Sequence, residues 1–169
     1  MLAQPLLRDG FKSCMNKNVI LIAGLPGCGK TTHLCQMFSD GWLVFDDFKA
    51  RAFNDCSKFR ESRKFRALTN ALRDDIKCAV ADIDFCRTEA RHEAEHELLV
   101  EVPGVRHGWI FFENDPSACE ENIRSRNRTC FENELGYLLN YSPSYNIPQD
   151  AVVFPISRKS AGGEAGNCR

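Results

Sequence analysis

The segment VILIAGLPGCGKTTHL, residues 19–34, constrains the fold more than any other part of this chain. It opens with a short apolar run, rich in β-branched residues and without polar alternation, which is typical of a strand buried on both faces. A glycine-rich turn follows, and GKTTHLCQMF then continues as a helix. Because a strand buried on both faces must be covered by helices on either side, this segment predicts a parallel sheet between two helical layers.

The rest of the chain repeats this alternation. Further strands are predicted over 41–48, 78–84, 108–114 and 151–156. Helices are predicted over 58–77, 88–99 and 132–139, and another is opened by Asp115–Ser117 and runs through Arg128. Alternating strands and helices favour an α/β fold with a five-stranded parallel sheet in a three-layer α/β/α domain. We expect residues 18–157 to form this domain, with an N-terminal arm over 1–17 and a disordered polar tail over 158–169.

The glycine-rich turn matches G-x-x-x-x-G-K-[ST] and lies where that motif requires, between a buried strand and a helix. Glycines let the backbone wrap around a phosphate, and the helix N-terminus adds its positive dipole end. Lys30 is predicted to reach the β- and γ-phosphates of a nucleotide, and the Thr31 hydroxyl to ligate Mg²⁺. The predicted nucleotide-binding residues are Gly24, Leu25, Pro26, Gly27, Cys28, Gly29, Lys30, Thr31 and Thr32.

Acidic residues end the next two predicted strands. Asp46 and Asp47 end the second strand, and Asp82 and Asp84 end the third. In a parallel sheet the carboxyl ends of these strands lie side by side with the glycine-rich turn, residues 24–32, which we call the phosphate loop. Carboxylates that face such a loop can ligate Mg²⁺ and accept a proton from a hydroxyl group. We therefore expect a Mg²⁺ site at Thr31 and Asp82.

Composition narrows the class of protein. The formal net charge of −1 gives no general attraction for nucleic acid. The nine cysteines include no C-x-x-C pair, so we expect them to serve as small apolar side chains in a reducing compartment, the cytoplasm. No apolar run approaches the roughly 20 residues of a membrane-spanning helix, so no membrane span is expected.

The stretch HEAEH, residues 92–96, fits H-E-x-x-H, the zinc-protease signature. On the predicted helix both histidines project about 160° away from the apolar face around Ala94. The glycine and histidine of the extended protease motif are replaced by Leu99 and Val102. We therefore predict a solvated helix face here, with a zinc protease as the alternative.

A family resemblance rests on the phosphate loop, the acids after the second strand, and two longer passages. These passages are DIDFCRTEAR, residues 82–91, and FFENDPSACEENIRSRNR, residues 111–128. With them the chain resembles the small P-loop kinase family, which includes polynucleotide 5′-hydroxyl kinases and the zeta-toxin and chloramphenicol phosphotransferase type. The resemblance covers roughly residues 18–156. It implies a nucleoside-kinase-like P-loop fold with an arginine-bearing lid.

The resemblance also implies roles for the acids. Asp46 or Asp47 would be the general base, and Asp46 would contact the acceptor hydroxyl. Asp82 and Asp84 would contact the substrate, although Asp84 stands where the family has Thr or Asn.

Arginines of the second half of the chain also receive roles from the resemblance. Arg91 would contact the substrate, and Arg124, Arg126 and Arg128 would belong to a lid that closes over the phosphates. We assign Arg126 to catalysis and Arg124 and Arg128 to nucleotide binding. On a regular helix Arg126 points about 200° away from the other two, so one or two of the three are expected to reach the phosphates.

These patterns together predict an ATP-dependent kinase with Mg²⁺ that phosphorylates a hydroxyl of a small metabolite or nucleotide. A kinase acting on nucleic acid is the alternative, favoured by a basic run over 58–66 that is otherwise a solvated helix face. A nucleotide-binding regulator with slow hydrolysis is the third possibility. The acids after the second strand favour a kinase over such a regulator, and the missing N-K-x-D motif weighs against a GTPase.

Overall fold

The computed structural model describes residues 18–46, 63–126 and 131–157. The strands are β1 (Val19–Ala23), β2 (Leu43–Asp46), β3 (Cys78–Ala81), β4 (His107–Phe112) and β5 (Val152–Phe154). The helices are α1 (Lys30–Ser39), α2 (Arg63–Arg73), α3 (Thr88–Glu101), α4 (Pro116–Ser125) and α5 (Phe131–Tyr141), with 3₁₀ turns at Ile83–Cys86 and Ser142–Ser144. The predicted arm over 1–17 and tail over 158–169 lie outside the described residues.

The five strands form one all-parallel sheet in the order β2-β3-β1-β4-β5. β1 lies at the centre, with Val19 in register with Cys78 on one side and with His107 on the other. All five residues of β1 are buried, as expected for a strand covered by helices on both faces. The predicted α/β fold with a five-stranded parallel sheet in a P-loop-like three-layer arrangement is thus confirmed.

The third strand is shorter than its apolar pattern predicted. The prediction ran over 78–84, but the strand ends at Ala81. The Asp82 side chain accepts a hydrogen bond from the backbone N–H of Asp84 at 2.9 Å and starts a 3₁₀ turn. An Asp that bonds to the backbone two residues further on competes with the sheet ladder and turns the chain. Both acids therefore lie on a turn at the carboxyl edge of the sheet.

Four cysteines contribute to the core as small side chains. Cys28, Cys78, Cys86 and Cys119 are buried free thiols. Burial raises the pKa of Cys78, Cys86 and Cys119 to about 12, so these thiols stay protonated at neutral pH. Protonated, buried thiols behave as apolar filler, which agrees with the prediction from composition.

The helix that carries HEAEH packs on the sheet by the face opposite its histidines. Ala94 and Leu98 of α3 are buried, whereas His92 and His96 are exposed. Trp109 Nε1 on β4 donates a hydrogen bond to Glu95 Oε1 on α3 at 2.6 Å, which ties the helix to the sheet. Among the described residues there is no group of three His, Cys, Asp or Glu side chains that could hold a metal ion. Within residues 18–46, 63–126 and 131–157, no helix is long and apolar enough to cross a membrane.

Candidate functional site

The phosphate loop connects β1 to α1 at the carboxyl edge of the sheet. Gly27 and Gly29 have φ angles of +84° and +112°, in the region that side chains disfavour and glycine adopts freely. Lys30 Nζ donates to the carbonyl oxygens of Gly24 at 2.6 Å and Leu25 at 3.0 Å, so its ammonium group folds back over the loop. A glycine-rich turn that leads into a helix N-terminus and carries a lysine is suited to bind phosphate groups.

The remaining predicted residues of the loop occupy two environments. Leu25 and Cys28 are buried and anchor the loop on the core. Pro26 is partly exposed, and Thr31 and Thr32 are exposed in the first turn of α1. The two threonine hydroxyls are therefore accessible to a ligand, while the anchoring residues are not.

A carboxylate lies within hydrogen-bond distance of the loop threonine. Thr31 Oγ1 donates to Asp46 Oδ2 at 3.1 Å, which joins the start of α1 to the end of β2. A hydroxyl and a carboxylate are the hard oxygen ligands that Mg²⁺ prefers. Thr31 and Asp46 therefore bring together two of the ligand types that would fit Mg²⁺. The Mg²⁺ ligands predicted from the sequence, Thr31 and Asp82, stay a prediction.

Asp82 has different surroundings from Asp46. Its side chain is only 2 % exposed, and one carboxylate oxygen caps the 3₁₀ turn through Asp84 N. Asp46 pairs in register with Ala81, so Asp82 follows at the neighbouring strand end. Asp46 and Asp82 thus share one edge of the sheet, as predicted, while Asp47 lies outside the described residues.

Asp84, on the 3₁₀ turn after β3, contacts helix α5. Its Oδ1 accepts a hydrogen bond from the hydroxyl of Tyr141 on α5. The guanidinium of Arg87 lies 4.6 Å from the centre of the Tyr141 ring. Burial and the hydrogen bond to Asp84 raise the pKa of Tyr141, so its hydroxyl remains a donor at neutral pH. Asp84 is thereby held by a tyrosine whose ring also contacts a cation.

Arg91 is buried, with 6 % of its surface exposed. Its guanidinium donates to the carbonyl oxygens of Phe85 and Asn146, both at 3.0 Å, and to Thr88 Oγ1 at 2.9 Å. Desolvation lowers the pKa of Arg91 from its usual value. These contacts tie α3 to the turn after β3 and to the loop before β5, which gives Arg91 a structural role whatever it does for a substrate.

The predicted lid arginines are separated from one another. Arg124 forms an ion pair with Glu120 on the exposed face of α4, with Nη2 and Oε1 2.7 Å apart. Arg126 lies just after α4 and lines a cavity beside the phosphate loop. Arg128 lies outside the described residues. Of Arg124 and Arg126, Arg126 is the one that lines the cavity beside the phosphate loop.

The cavity beside the phosphate loop has a volume of about 400 Å³. It is bounded by α1, by the ends of β4 and β5, and by the segment after β5. The polar and aromatic side chains that line it include those of Thr32, His33, Gln36, Phe112, Arg126 and Phe154. A concave site of this size with aromatic walls and a few polar groups is typical of small-ligand binding.

Aromatic rings form one wall of this cavity, and the sequence did not single them out. The His33 ring lies 5.0 Å from the Phe154 ring and 6.0 Å from the Phe112 ring. Burial lowers the pKa of His33, which favours the neutral imidazole. The sequence feature that could have identified His33 is its position directly after GKTT, in the first turn of the helix that follows the loop.

Tyr145 is a second residue that the sequence did not reveal. Its buried hydroxyl contacts the carbonyl oxygens of Phe112 at 2.6 Å and Ala23 at 3.1 Å. Burial raises the pKa of Tyr145, so the hydroxyl keeps its proton. The contact fixes the ends of β1 and β4 next to the phosphate loop.

Fold and site together define a P-loop-like α/β protein with a three-layer arrangement. No family model matches the chain. It is 27% identical over 139 residues to "Uncharacterized protein R277" of Acanthamoeba polyphaga mimivirus, an alignment that covers 79% of this chain and 89% of that protein.

Two solved structures are similar to the chain. The crystal structure of APE1195 is 23% identical, with a TM-score of 0.48 over 85% of this chain and 87% of that one. The YorR protein of Bacillus subtilis, solved in complex with phosphorylated GDP, is 10% identical, with a TM-score of 0.43 over 80% of this chain and 84% of that one.

Proposed function

We propose that the protein is an ATP- and Mg²⁺-dependent kinase that transfers the γ-phosphoryl group to a hydroxyl of a small metabolite or nucleotide. The observation that carries the proposal is the hydrogen bond of 3.1 Å between Thr31 Oγ1 and Asp46 Oδ2. It brings a carboxylate next to the loop hydroxyl that ligates Mg²⁺ in proteins with this motif. Phosphoryl transfer depends on such positioning of phosphates, metal and acceptor rather than on covalent help from the protein.

Each part of the site would then have a distinct task. Lys30 would hold the β- and γ-phosphates, and Thr31 would hold Mg²⁺ together with either Asp82 or Asp46. When bound, Mg²⁺ would neutralise charge on the phosphate oxygens. Asp46, where Asp82 ligates Mg²⁺, or otherwise Asp47 would accept the proton of the acceptor hydroxyl, and Arg126 would offset the charge that develops during transfer.

The nucleotide base would occupy the cavity of about 400 Å³ beside the loop. That cavity opens next to Gly27 and Gly29 of the loop, so one ligand could reach both parts. The rings of His33 and Phe154 suit the flat face of a base, because offset and tilted aromatic contacts are favourable.

A polynucleotide acceptor is the second candidate, and one contact favours it. Lys64 on α2 donates a hydrogen bond from Nζ to the backbone carbonyl oxygen of Asp46. This contact brings an exposed cation to the end of β2, where an acceptor hydroxyl would lie. A cation at that position suits an acceptor that carries a phosphate group near its hydroxyl.

The test is transfer from γ-labelled ATP to a panel of hydroxyl acceptors, including metabolites, nucleosides and oligonucleotides with a free 5′-hydroxyl. We expect label in a small-molecule acceptor, lost in Lys30→Ala. Label in oligonucleotides alone would select the polynucleotide alternative. ATP binding with slow hydrolysis and no labelled acceptor would select the nucleotide-binding regulator, and absence of ATP binding would refute all three.

A further inference from the structure

Asn122 joins three segments that are far apart in the sequence. It lies on α4 with 5 % of its surface exposed. Its side-chain nitrogen Nδ2 donates to the carbonyl oxygen of Gly27 at 3.0 Å and to that of Ser157 at 3.1 Å. The two hydrogens of this NH₂ group match the two carbonyl acceptors. The phosphate loop and the segment after β5 are therefore held by one side chain of α4.

The contact with Gly27 acts on the geometry of the phosphate loop. A peptide unit is planar, so the carbonyl of Gly27 and the N–H of Cys28 turn together. The N–H of Cys28 donates to the Leu25 carbonyl at 3.2 Å, while the Gly27 carbonyl accepts from Asn122. This peptide plane is thus held from both sides, and its orientation fixes the direction in which the loop continues toward Lys30.

The loop also lies directly against α4. A Cβ atom on Gly27 would lie 2.4 Å from the carbonyl oxygen of Cys119 and 2.9 Å from Ile123 Cγ1. The backbone of the loop therefore packs on the helix with no space for a side chain. A loop packed this closely follows the position of α4, and Asn122 adds a directional bond to that contact.

The contact with Ser157 extends the link to the cavity for the base. Gly27, Asn122 and Ser157 all line this cavity. One end of a nucleotide would meet the loop and the other end the cavity, so the distance between the two subsites matters for binding. Asn122 sets that distance, because one nitrogen atom bonds to a carbonyl of each.

We propose that Asn122 is a positioning residue that couples the phosphate loop to the base cavity. The inference rests on the proposed nucleotide-binding function. It predicts that Asn122 acts on ATP affinity through the position of the loop relative to the cavity, without touching the phosphates itself.

The variant Asn122→Asp tests the inference with almost no change in side-chain size. It replaces the NH₂ donor by a carboxylate oxygen that faces two carbonyl oxygens. Asn114→Asp is the control for the chemical change itself: Asn114 is exposed, and its Nδ2 also donates to two carbonyl oxygens, those of Ser142 and Tyr145, both at 3.1 Å. If Asn122→Asp does not melt cooperatively, Asn122→Ala, which removes the donor without adding charge, is measured in its place.

Two measurements follow on the folded variants. Calorimetry with Mg²⁺ compares ATP with inorganic tripolyphosphate, which needs only the loop. Hydrogen exchange in the nucleotide-free protein follows the backbone amides of residues 24–32. We expect ATP affinity to fall at least about tenfold, tripolyphosphate affinity to fall less, and loop exchange to accelerate at least about tenfold, because two buried acceptors lose their donor. Asn114→Asp should change none of these.

A purely structural role would give another pattern. Asn122→Asp would then melt at a lower temperature, but the folded variant would bind ATP within twofold of wild type and its loop amides would exchange at the wild-type rate. That result, or an equal acceleration in Asn114→Asp, would overturn the inference. If wild type binds no ATP, the proposed function fails by itself, and the exchange comparison alone decides the role of Asn122.

Discussion

The variant Asp46→Asn separates a catalytic role of the Asp46 carboxylate from a structural one, because the two roles predict losses of phosphoryl-transfer rate of different size. Asn keeps an oxygen that can accept the Thr31 hydroxyl, so the bond of 3.1 Å can persist. What is lost is the negative charge and the ability to take a proton. The side chain is partly exposed, so the loss of charge should leave the fold intact.

The structural effect of this change is small. A hydrogen bond to a charged acceptor contributes about 1 kcal/mol more than one to a neutral acceptor. If this whole difference in free energy raised the barrier to phosphoryl transfer, the transfer rate would change only about fivefold. Loss of a general base costs about 10²–10⁴-fold in rate. A decrease of at least a hundredfold therefore cannot come from the hydrogen bond alone.

The assay is phosphoryl transfer from labelled ATP to a verified acceptor, at saturating ATP and over a series of Mg²⁺ concentrations. We expect a decrease of about 10²–10⁴-fold for Asp46→Asn. If Asp46 acts mainly as a Mg²⁺ ligand, high Mg²⁺ will restore much of the rate; a base cannot be rescued in this way. Asp150→Asn, which removes an exposed acid before β5, is the control. A decrease of less than about fivefold at every Mg²⁺ concentration would refute the catalytic assignment of Asp46.

Three further predictions concern single parts of the molecule. Lys30→Ala should weaken ATP–Mg²⁺ binding in calorimetry, because it removes the charge on the β- and γ-phosphates; unchanged affinity in the folded variant would refute the phosphate-loop assignment. Burial lowers the pKa of His33, with Asp40 acting in the opposite direction, so below about pH 6.5 the unfolded chain takes up a proton that the folded protein resists. Stability should thus fall as pH falls through this range, and less so in His33→Gln, as urea unfolding at about pH 7.5 and about pH 5.5 would measure; equal losses in both proteins would contradict this. The double change His92→Ala and His96→Ala should keep most phosphoryl transfer, and elemental analysis should find no stoichiometric zinc; one zinc per chain that the double variant lacks would revive the protease alternative.

Sequence patterns predicted correctly those structural features that depend on residues close together in the chain. The segment over 19–34 predicted a buried strand, a glycine turn and a helix, and the structure has β1, the loop and α1 in that order. The acids of the second and third strands were expected at one edge, which follows from parallel strands alone. The end of β3 was missed, because apolar pattern carries no information on the Asp82 side chain that turns the chain.

The partners of the side chains could not be predicted in the same way. The hydrogen bond between Thr31 and Asp46 was not predicted, and the Mg²⁺ site at Thr31 and Asp82 stays a prediction. Which acid reaches the hydroxyl depends on differences of a few ångströms between strand ends, and periodicity does not resolve these. His33 and Phe154 lie far apart in the sequence, and only the packing of α1 against β5 brings their rings together.

Arg91 shows that a motif position does not determine a role. The resemblance implies a substrate contact, yet the guanidinium is buried and donates to two backbone carbonyls and a threonine hydroxyl. A buried cation whose donors are left unpaired is costly, so these contacts are enough to explain an arginine at this position. Any direct contact with a substrate would need donors beyond those three bonds, or would have to break one of them. The proposed acceptor site is therefore to be tested first at Lys64, which is exposed, and at Asp46, which is partly exposed.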